Sequence, residues 1–501
     1  MKLSDLLRNA GIPARKFEND PEITGICPDS ARIVEGNLFV AIEGLHVDGH
    51  RFLDDAIRRG AAAAVVSESA VKEGRADPER LAVPCVVVPS ARRAVARLFA
   101  AWYGNPQQNL RIVGVTGTNG KTSVTRLIYE LLNRSGIYAG LIGTVGCLTK
   151  KGRIEVKPHN NEANMTTPDP EELYKILYLM EREGVEIAVM EVTSHALLLE
   201  KTEPIDFDVA VFTNLTEDHL DLHENMENYF AAKARLFEKC QRAVINLDDR
   251  YGRRLAHLIG CPVYSCSGEG REAGFVAEDV HQKGLCGIEY KLVSHALRMR
   301  VRSPLSGGFN VMNTMEAAVA AHLLGTPVRE IQTALATLTG AEGRLERLKL
   351  GEKVDFSVFI DYAHTPDALE SLLRTVRSFC EVGQRIVLVF GCGGDRDRQK
   401  RPLMGRIATA MADLVIVTED NSRSERTSDI IADILAGASE DGCYTVIDNR
   451  REAIEYAIKN ARRGDIILLA GKGHENYEIG ANGKKPFSEK EIVSAMIEKY
   501  Y

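Results

Sequence analysis

The sequence predicts an α/β protein of three domains: a small α/β domain first, a parallel-sheet domain built around a phosphate loop, and a Rossmann-like α/β domain last. Three observations carry this. A chain of 501 residues has room for about three domains of ordinary size. Continuous apolar runs alternate with helical segments in two successive series, as in sheets covered on both faces. A glycine-rich turn, VGVTGTNGKTS (113–123), separates one apolar run from the helical pattern that follows it.

Residues 1–108 form the first predicted domain, with short strand-like runs NLFVAI, AAAAVV and CVVVP and two helical stretches. The turn-rich YGNPQQNL closes it. Residues 109–342 form the second, opening with RIVGVTG, EIAVMEVTS, DVAVFTN and RAVINLDD, continuing through a β-rich stretch from about 262 to 305, and ending near the helix NTMEAAVAAHLLG. Residues 343–501 form the third, with SVFIDYAH, RIVLVFGCGG, DLVIVTEDNS and DIILLAGKGHE as its strands.

The loop at 113–123 has the parts a phosphate requires. Gly117 and Gly120 let backbone N–H groups close around an anion with no Cβ in the way. Lys121 supplies a cation, Thr122 a hydroxyl within reach of Mg²⁺, and the helix beginning there adds its dipole. The match to a Walker A loop is not strict, because Val115 stands where that pattern has its first glycine. The expected ligand is ATP or GTP.

Most later strands end in glycine or polar residues: Glu191, Thr193, Asn214, Asp361, Asp395, Asp420, Asn421 and Lys472. Ligands of open α/β sheets bind beyond the carboxyl ends of the strands, so these positions together outline a site. Glu191, His219 and Lys233 form a second constellation. On residue type alone, His219 reads as a satisfied polar side chain, and Lys233 as a lysine laying its stem on apolar neighbours.

Composition narrows the function class. Apolar residues make up 45% and charged residues 27%, values of a soluble globular protein. A net charge of −7 without a long basic run argues against nucleic acid as a partner. The N-terminus has no apolar core of signal-peptide length, and Ala61–Val66 is far too short to span a bilayer. Ten cysteines without a Cys-x-x-Cys pair fit free thiols in a reducing cytoplasm. GCGGDRD does not make a dinucleotide fingerprint, since Arg396 stands where glycine would be needed.

Seven segments in order, GTNGKTS, MEVTSHAL, TNLTEDHLDLHENMENYFAAK, GFNVMN, DYAHTPDAL, GCGGDRDRQKRPLMG and AGKGHE, resemble the Mur ligase family, as does the N-terminal DS-x-x-x-x-x-GNLFVA-x-x-G-x-x-x-DG. The resemblance covers essentially the whole chain. Within the family it is to the members that add the third amino acid to UDP-N-acetylmuramoyl-dipeptide. It implies an ATP- and Mg²⁺-dependent amide ligase of peptidoglycan synthesis, working in the cytoplasm; a monomer is the default expectation, since nothing in the sequence reads out the oligomeric state. ATP would phosphorylate the D-glutamyl side-chain carboxylate of UDP-MurNAc-L-Ala-D-Glu, and the amine of a diamino acid would attack the acyl phosphate.

The resemblance also implies roles for residues. The ATP site would comprise Gly117, Thr118, Asn119, Gly120, Lys121, Thr122, Ser123, Asn310, Arg344 and Asp361, with His364 near the domain junction. Lys121, Glu191, His219 and Lys233 would be catalytic. Thr122, Glu191, His219 and Lys233 would hold metal, with Lys233 carbamylated by CO₂ into an anionic oxygen ligand. Ser30, Leu45, His46 and Val47 would take the uridine diphosphate, and Thr166, Thr167, Thr193 and Lys201 the muramoyl dipeptide. Ala31, Leu199 and Lys201 depart from the family pattern; Lys201 keeps a cation where arginine is usual but lacks its bidentate fork.

For the diamino acid, the resemblance points to Arg396, the box Asp420–Asn421–Ser422–Arg423, Gly471 and Glu475. Arg423 could pair with the second carboxylate of meso-diaminopimelate, whereas lysine would bring an ammonium there instead. Ser422 departs from the usual proline. Two other readings are a lysine-adding or folylpolyglutamate synthetase-like ligase, and a catalytically silent nucleotide-binding regulator. The N-terminal LFVAIEG and the DNSR box argue against the first. The intact Lys121, Thr122, Glu191, His219 and Lys233 argue against the second.

Overall fold

In the computed structural model most of the apolar runs are strands buried on both faces, which is why they lack polar alternation; Cys85–Val88 is the exception, with Val87 exposed. All residues are described except 14–16, 45–46, 157–164, 219, 285–286, 296, 339, 352–353 and 382. Leu45, His46 and His219 therefore lie outside the described residues.

The N-terminal sheet is parallel, with Gly25–Cys27, Asn37–Val40, Ala63–Ser67 and Cys85–Val88 side by side in that order. The helix Ala91–Trp102, capped by the Ser90 hydroxyl, buries Leu98 and Phe99 and packs on the helix Pro170–Glu183 of the next unit. One apolar cluster runs from Leu6 and Leu98 through Tyr174 to Phe212 and Leu236, so the two units share a core.

The central sheet has eleven strands. Its middle is parallel in the order Phe275–Gln282, Val263–Ser267, Ala243–Asn246, Val209–Phe212, Arg111–Thr116, Ile187–Glu191 and Ala139–Gly143. Antiparallel strands extend both flanks: Ile288–Val293 and Arg298–Ser303 on one side, Gly146–Thr149 and Gly152–Arg153 on the other. The β-rich stretch expected near 262–305 supplies four of these strands. Helices Lys121–Arg134 and Phe309–Leu323 pack together against one face, over Val113, Val115 and Val211.

The C-terminal sheet runs Glu346–Arg347, Ser357–Asp361, Ile466–Ala470, Ile386–Phe390, Leu414–Val417 and Tyr444–Val446. Only the first strand is antiparallel to its neighbour. Separate apolar clusters fill its two faces, under Leu369 and Leu373 on one side and Ile454 and Val493 on the other. This is the doubly wound arrangement expected of the last domain. Among the described residues no helix is long and apolar enough to cross a membrane.

Candidate active site

The strand Arg111–Thr116 delivers the glycine loop at its carboxyl end. Val115, the departure from Walker A, is fully buried and in register between Val211 and Glu191, so the loop begins only at Gly117. Gly117 has φ 151°, and a Cβ there would lie 1.9 Å from Thr213 Oγ1. Gly120 has φ 89° and leads into the helix Lys121–Arg134. The loop is tied to the next strand end: Thr118 N–H donates to the Asn214 carbonyl at 2.9 Å, and Asn119 N–H to Asn214 Oδ1 at 2.9 Å. Lys121 Nζ folds back onto the carbonyls of Gly117 and Thr118 at 3.0 and 2.9 Å. Loss of hydration lowers its pKa.

A chain of hydroxyls surrounds Glu191, the last residue of its strand. Thr122 Oγ1 donates to Glu191 Oε2 at 2.9 Å, Thr144 N–H to Oε1 at 2.8 Å, and Thr144 Oγ1 to Oε2 at 3.1 Å. Thr144 Oγ1 lies 3.1 Å from Thr166 Oγ1. Thr167 Oγ1 donates to the Glu191 carbonyl at 2.9 Å and accepts from Thr193 N–H at 3.0 Å. Thr166, Thr167 and Thr193 thus gather beside Glu191. Lys201 follows the short helix that Thr193 caps, and its ammonium pairs with Asp169 at 2.7 Å.

Lys233 projects from the helix Met226–Ala234 and is 1% exposed. Its Nζ donates to the Gly117 carbonyl at 2.8 Å and sits 4.6 Å from the Tyr229 ring centre. Burial, and then the charge of Lys121, push its pKa well down, so the amine is driven toward its neutral form. Oxygen donors at Thr122 and Glu191 suit a divalent cation such as magnesium; a lysine ammonium does not, and a carbamate on the same nitrogen would.

The C-terminal domain supplies the opposite wall. A cleft of about 360 Å³ is lined by Thr118–Ser123, Asn214 and Thr216 on one side and by Arg344, Asp361, Asp367 and Ser371 on the other. Its apolar lining is Phe309, Ala363, Ala368 and Leu372. Arg344 reaches across the junction: Nη2 lies 3.4 Å from Thr122 Oγ1, and the guanidinium stacks 4.7 Å from the Tyr362 ring centre. The Asp361 carboxylate is engaged by the N–H groups of Leu345 and Ala363 at 2.6 and 2.8 Å, and burial raises its pKa. Gly343 has φ 67°, and a Cβ would fall 2.2 Å from His474 N. His364 bonds through Nδ1 to the Tyr362 carbonyl at 2.8 Å.

Two of the residues expected at the ATP site, Gly117 and Asn310, are not in the cleft lining. Gly117 lies behind the loop, under Lys121 and Lys233. Asn310 is buried and accepts from Asn313 at 3.1 Å; Asn313 is the one that faces the cleft. Sequence reasoning also missed Thr144, Phe309 and Asp367. Thr144 carries the signal that marked the others, a polar residue just past an apolar strand (AGLIG-T).

The third cluster lies at the strand ends of the C-terminal sheet. Lys472 is fully buried; Nζ donates to Asn421 Oδ1 and the Tyr477 carbonyl at 3.1 Å each and pairs with Asp420 at 3.2 Å. Asn421 Oδ1 also accepts from Ile479 N–H at 2.9 Å, which turns Nδ2 to Glu475 Oε2 at 2.8 Å. Burial raises the Glu475 pKa; at Asp420 burial also works upward, but the charges of Lys472 and Arg450 with the Lys472 and Asn421 hydrogen bonds together lower it. Arg423 stands at φ 51° with Nη1 on the Gly394 carbonyl at 2.8 Å. Arg423 and exposed Arg396 both flank Gly393. A Cβ on Gly394 would meet the Ser422 carbonyl at 1.9 Å, and one on Gly471 the Asp420 carboxylate at 3.0 Å. Ser30 and Val47 belong to the N-terminal part and do not line the cleft; Ser30 opens the 3₁₀ turn Ser30–Arg32, and Val47 is 53% exposed.

Comparison with known proteins agrees with this architecture. The family model of the Mur ligase middle domain matches residues 115–321, that of the Mur ligase glutamate ligase domain 343–473, and that of the Mur ligase catalytic domain 22–103. The chain is 39% identical to a UDP-N-acetylmuramoyl-L-alanyl-D-glutamate–2,6-diaminopimelate ligase of Caldanaerobacter subterraneus, covering 99% of each. It is 41% identical to the ligase of the same name from Thermosynechococcus vestitus, over 98% of this chain and 97% of that one. A solved structure of such a ligase superposes with a TM-score of 0.69 at 32% identity, covering 100% and 99% of the two chains. A folylpolyglutamate synthase from Mycobacterium tuberculosis shares the fold, with a TM-score of 0.60 at 18% identity, covering 81% and 94%.

Proposed function

The chain belongs to the Mur ligase family, and on that premise we propose that it joins meso-diaminopimelate to the D-glutamyl side-chain carboxylate of UDP-MurNAc-L-Ala-D-Glu at the expense of ATP. The observation that carries this is the cleft between the glycine loop and Arg344–Asp361, with the Glu191 carboxylate and its hydroxyl chain beside it. ATP would lie with its phosphates on residues 117–123 and its base toward Phe309 and Leu372.

A carboxylate resists an amine because its oxygen is a poor leaving group. Transfer of the γ-phosphoryl group to that oxygen makes it a good one. The amine then attacks the acyl carbon, and the tetrahedral adduct collapses to the amide and phosphate. Two anions must meet first, so the cleft concentrates cations: Lys121 would leave its loop carbonyls for phosphate, and Arg344 would approach from the opposite wall. Magnesium would be held by Thr122 and Glu191, and at a second position by Glu191, His219 and a carbamylated Lys233, where it would neutralise phosphate charge. The depressed Lys233 pKa supports carbamylation, since CO₂ reacts with a neutral amine.

Thr166, Thr167, Thr193 and Lys201 would hold the muramoyl dipeptide, and Ser30, Leu45, His46 and Val47 the uridine diphosphate. Arg423 and Arg396 would receive the far carboxylate of diaminopimelate, with Asp420, Asn421 and Glu475 around its amino group. The enzyme would act in the cytoplasm as a monomer, with no nucleic-acid partner. Phosphate release should require the UDP-dipeptide and the amine together; release from ATP that ignores both would contradict a ligase.

A further inference from the structure

Cys240 and Cys261 bring their sulfurs to 3.3 Å, a contact outside every site described above. Cys240 follows the 3₁₀ segment Arg235–Lys239, and Cys261 comes two residues before the strand Val263–Ser267. Strands Ala243–Asn246 and Val263–Ser267 are parallel neighbours with Ala243 opposite Val263, and Ala243 N–H donates to the Pro262 carbonyl at 2.9 Å. The register therefore holds the two cysteines side by side at the amino ends of adjacent strands. Both are partly exposed, so an oxidant can reach them.

We propose that Cys240 and Cys261 form a reversible disulfide under oxidation, stapling these strands at the end of the sheet opposite the cleft. With hydrogen peroxide as oxidant, one thiol gives up its proton and the thiolate attacks a peroxide oxygen; the O–O bond breaks, the departing hydroxide takes up that proton, and a sulfenic acid and water result. The second sulfur displaces the sulfenic oxygen, which leaves as water with the remaining proton. Two thiols and one peroxide give one disulfide and two waters. The sulfurs need close only from 3.3 Å to about 2.05 Å.

The bridge would close a loop between cysteines 21 positions apart, enclosing the helix Arg250–Leu258 and restricting the unfolded chain. It would leave catalysis intact, because the cleft residues sit at the carboxyl ends of the strands. Burial and then the neighbouring thiol raise the Cys240 pKa, so bridging should accelerate as pH rises above neutrality.

The test treats the full-length protein with hydrogen peroxide and maps disulfides by peptide mass spectrometry before and after dithiothreitol. The expected result is a Cys240–Cys261 cross-linked peptide that dithiothreitol removes and that Cys240→Ser and Cys261→Ser each abolish. The oxidised protein should unfold a few degrees higher than the reduced one, absent in either variant, and keep at least half its ligase activity. Oxidation of other cysteines while this pair stays reduced would overturn the proposal. So would peroxide treatment that removes activity in the native sequence but not in Cys240→Ser, because the bridge would then not spare catalysis.

Discussion

The Thr122 hydroxyl lies 2.9 Å from the Glu191 carboxylate, although 69 residues separate them in the chain. Adjacent parallel strands, with Val115 opposite Glu191, place the loop and the carboxylate at the same end of the sheet. Removing the hydroxyl leaves a buried carboxylate short of a donor. Thr122→Ala should lower kcat for phosphate release by ~10²-fold, whereas Thr122→Ser, which keeps the oxygen, should retain most of it. Equal losses in both would mean that packing of the methyl group matters, not the hydroxyl.

Gly143 tests the same carboxylate from behind. A Cβ at this position would lie 2.2 Å from Glu191 Oε1, so Gly143→Ala must push the carboxylate out of place. Activity should fall by at least ~10-fold, with the melting temperature lowered by only a few degrees, as for modest overpacking. Wild-type kcat in this variant would show that the carboxylate position is not critical.

Lys233 should leave a pH signature. Its folded pKa is depressed, so the unfolded chain binds more protons than the native one. The sign is therefore positive: for the unmodified protein, stability rises with pH from the folded pKa up to about 10.4, the unfolded value. Denaturant midpoints between pH 7 and 10 should climb in protein stripped of CO₂, and Lys233→Met should flatten that climb. Bicarbonate should add the mass of one CO₂ to the native protein and none to the variant. Lys233→Ala should lose turnover and regain part of it with a short carboxylic acid. No rescue and no added mass would leave Lys233 an ordinary buried amine.

Arg423 holds its left-handed conformation through bonds to Gly394 and Asn421 carbonyls, which leaves part of the guanidinium for a ligand. Arg423→Ala should raise KM for diaminopimelate by ~10- to 100-fold, the range of a lost bidentate ion pair. KM for ATP should stay within twofold. Parallel loss of both would assign Arg423 to the fold of the domain.

The fold was legible because its strands are continuous apolar runs that stop at polar residues. That rule placed Glu191, Asn214, Asp361, Asp420 and Lys472 at sheet ends near their partners. Contacts made only by domain packing left no local trace. Arg344 meets Thr122 across 222 residues, and no periodicity in either segment encodes that approach. Asn310 and Asn313 are separated by one helical turn, and only the rotation of the helix decides that Asn313 faces the cleft. The thiol contact of Cys240 and Cys261 likewise depends on strand register, which spacing alone does not fix.

The most direct test supplies the purified protein with ATP, magnesium and UDP-MurNAc-L-Ala-D-Glu, and measures phosphate release with meso-diaminopimelate or with lysine. Release is expected with diaminopimelate, and at least ~100-fold lower kcat/KM with lysine, since lysine brings an ammonium to the Arg423 position. Equal rates with both amines, or release with neither, would contradict it.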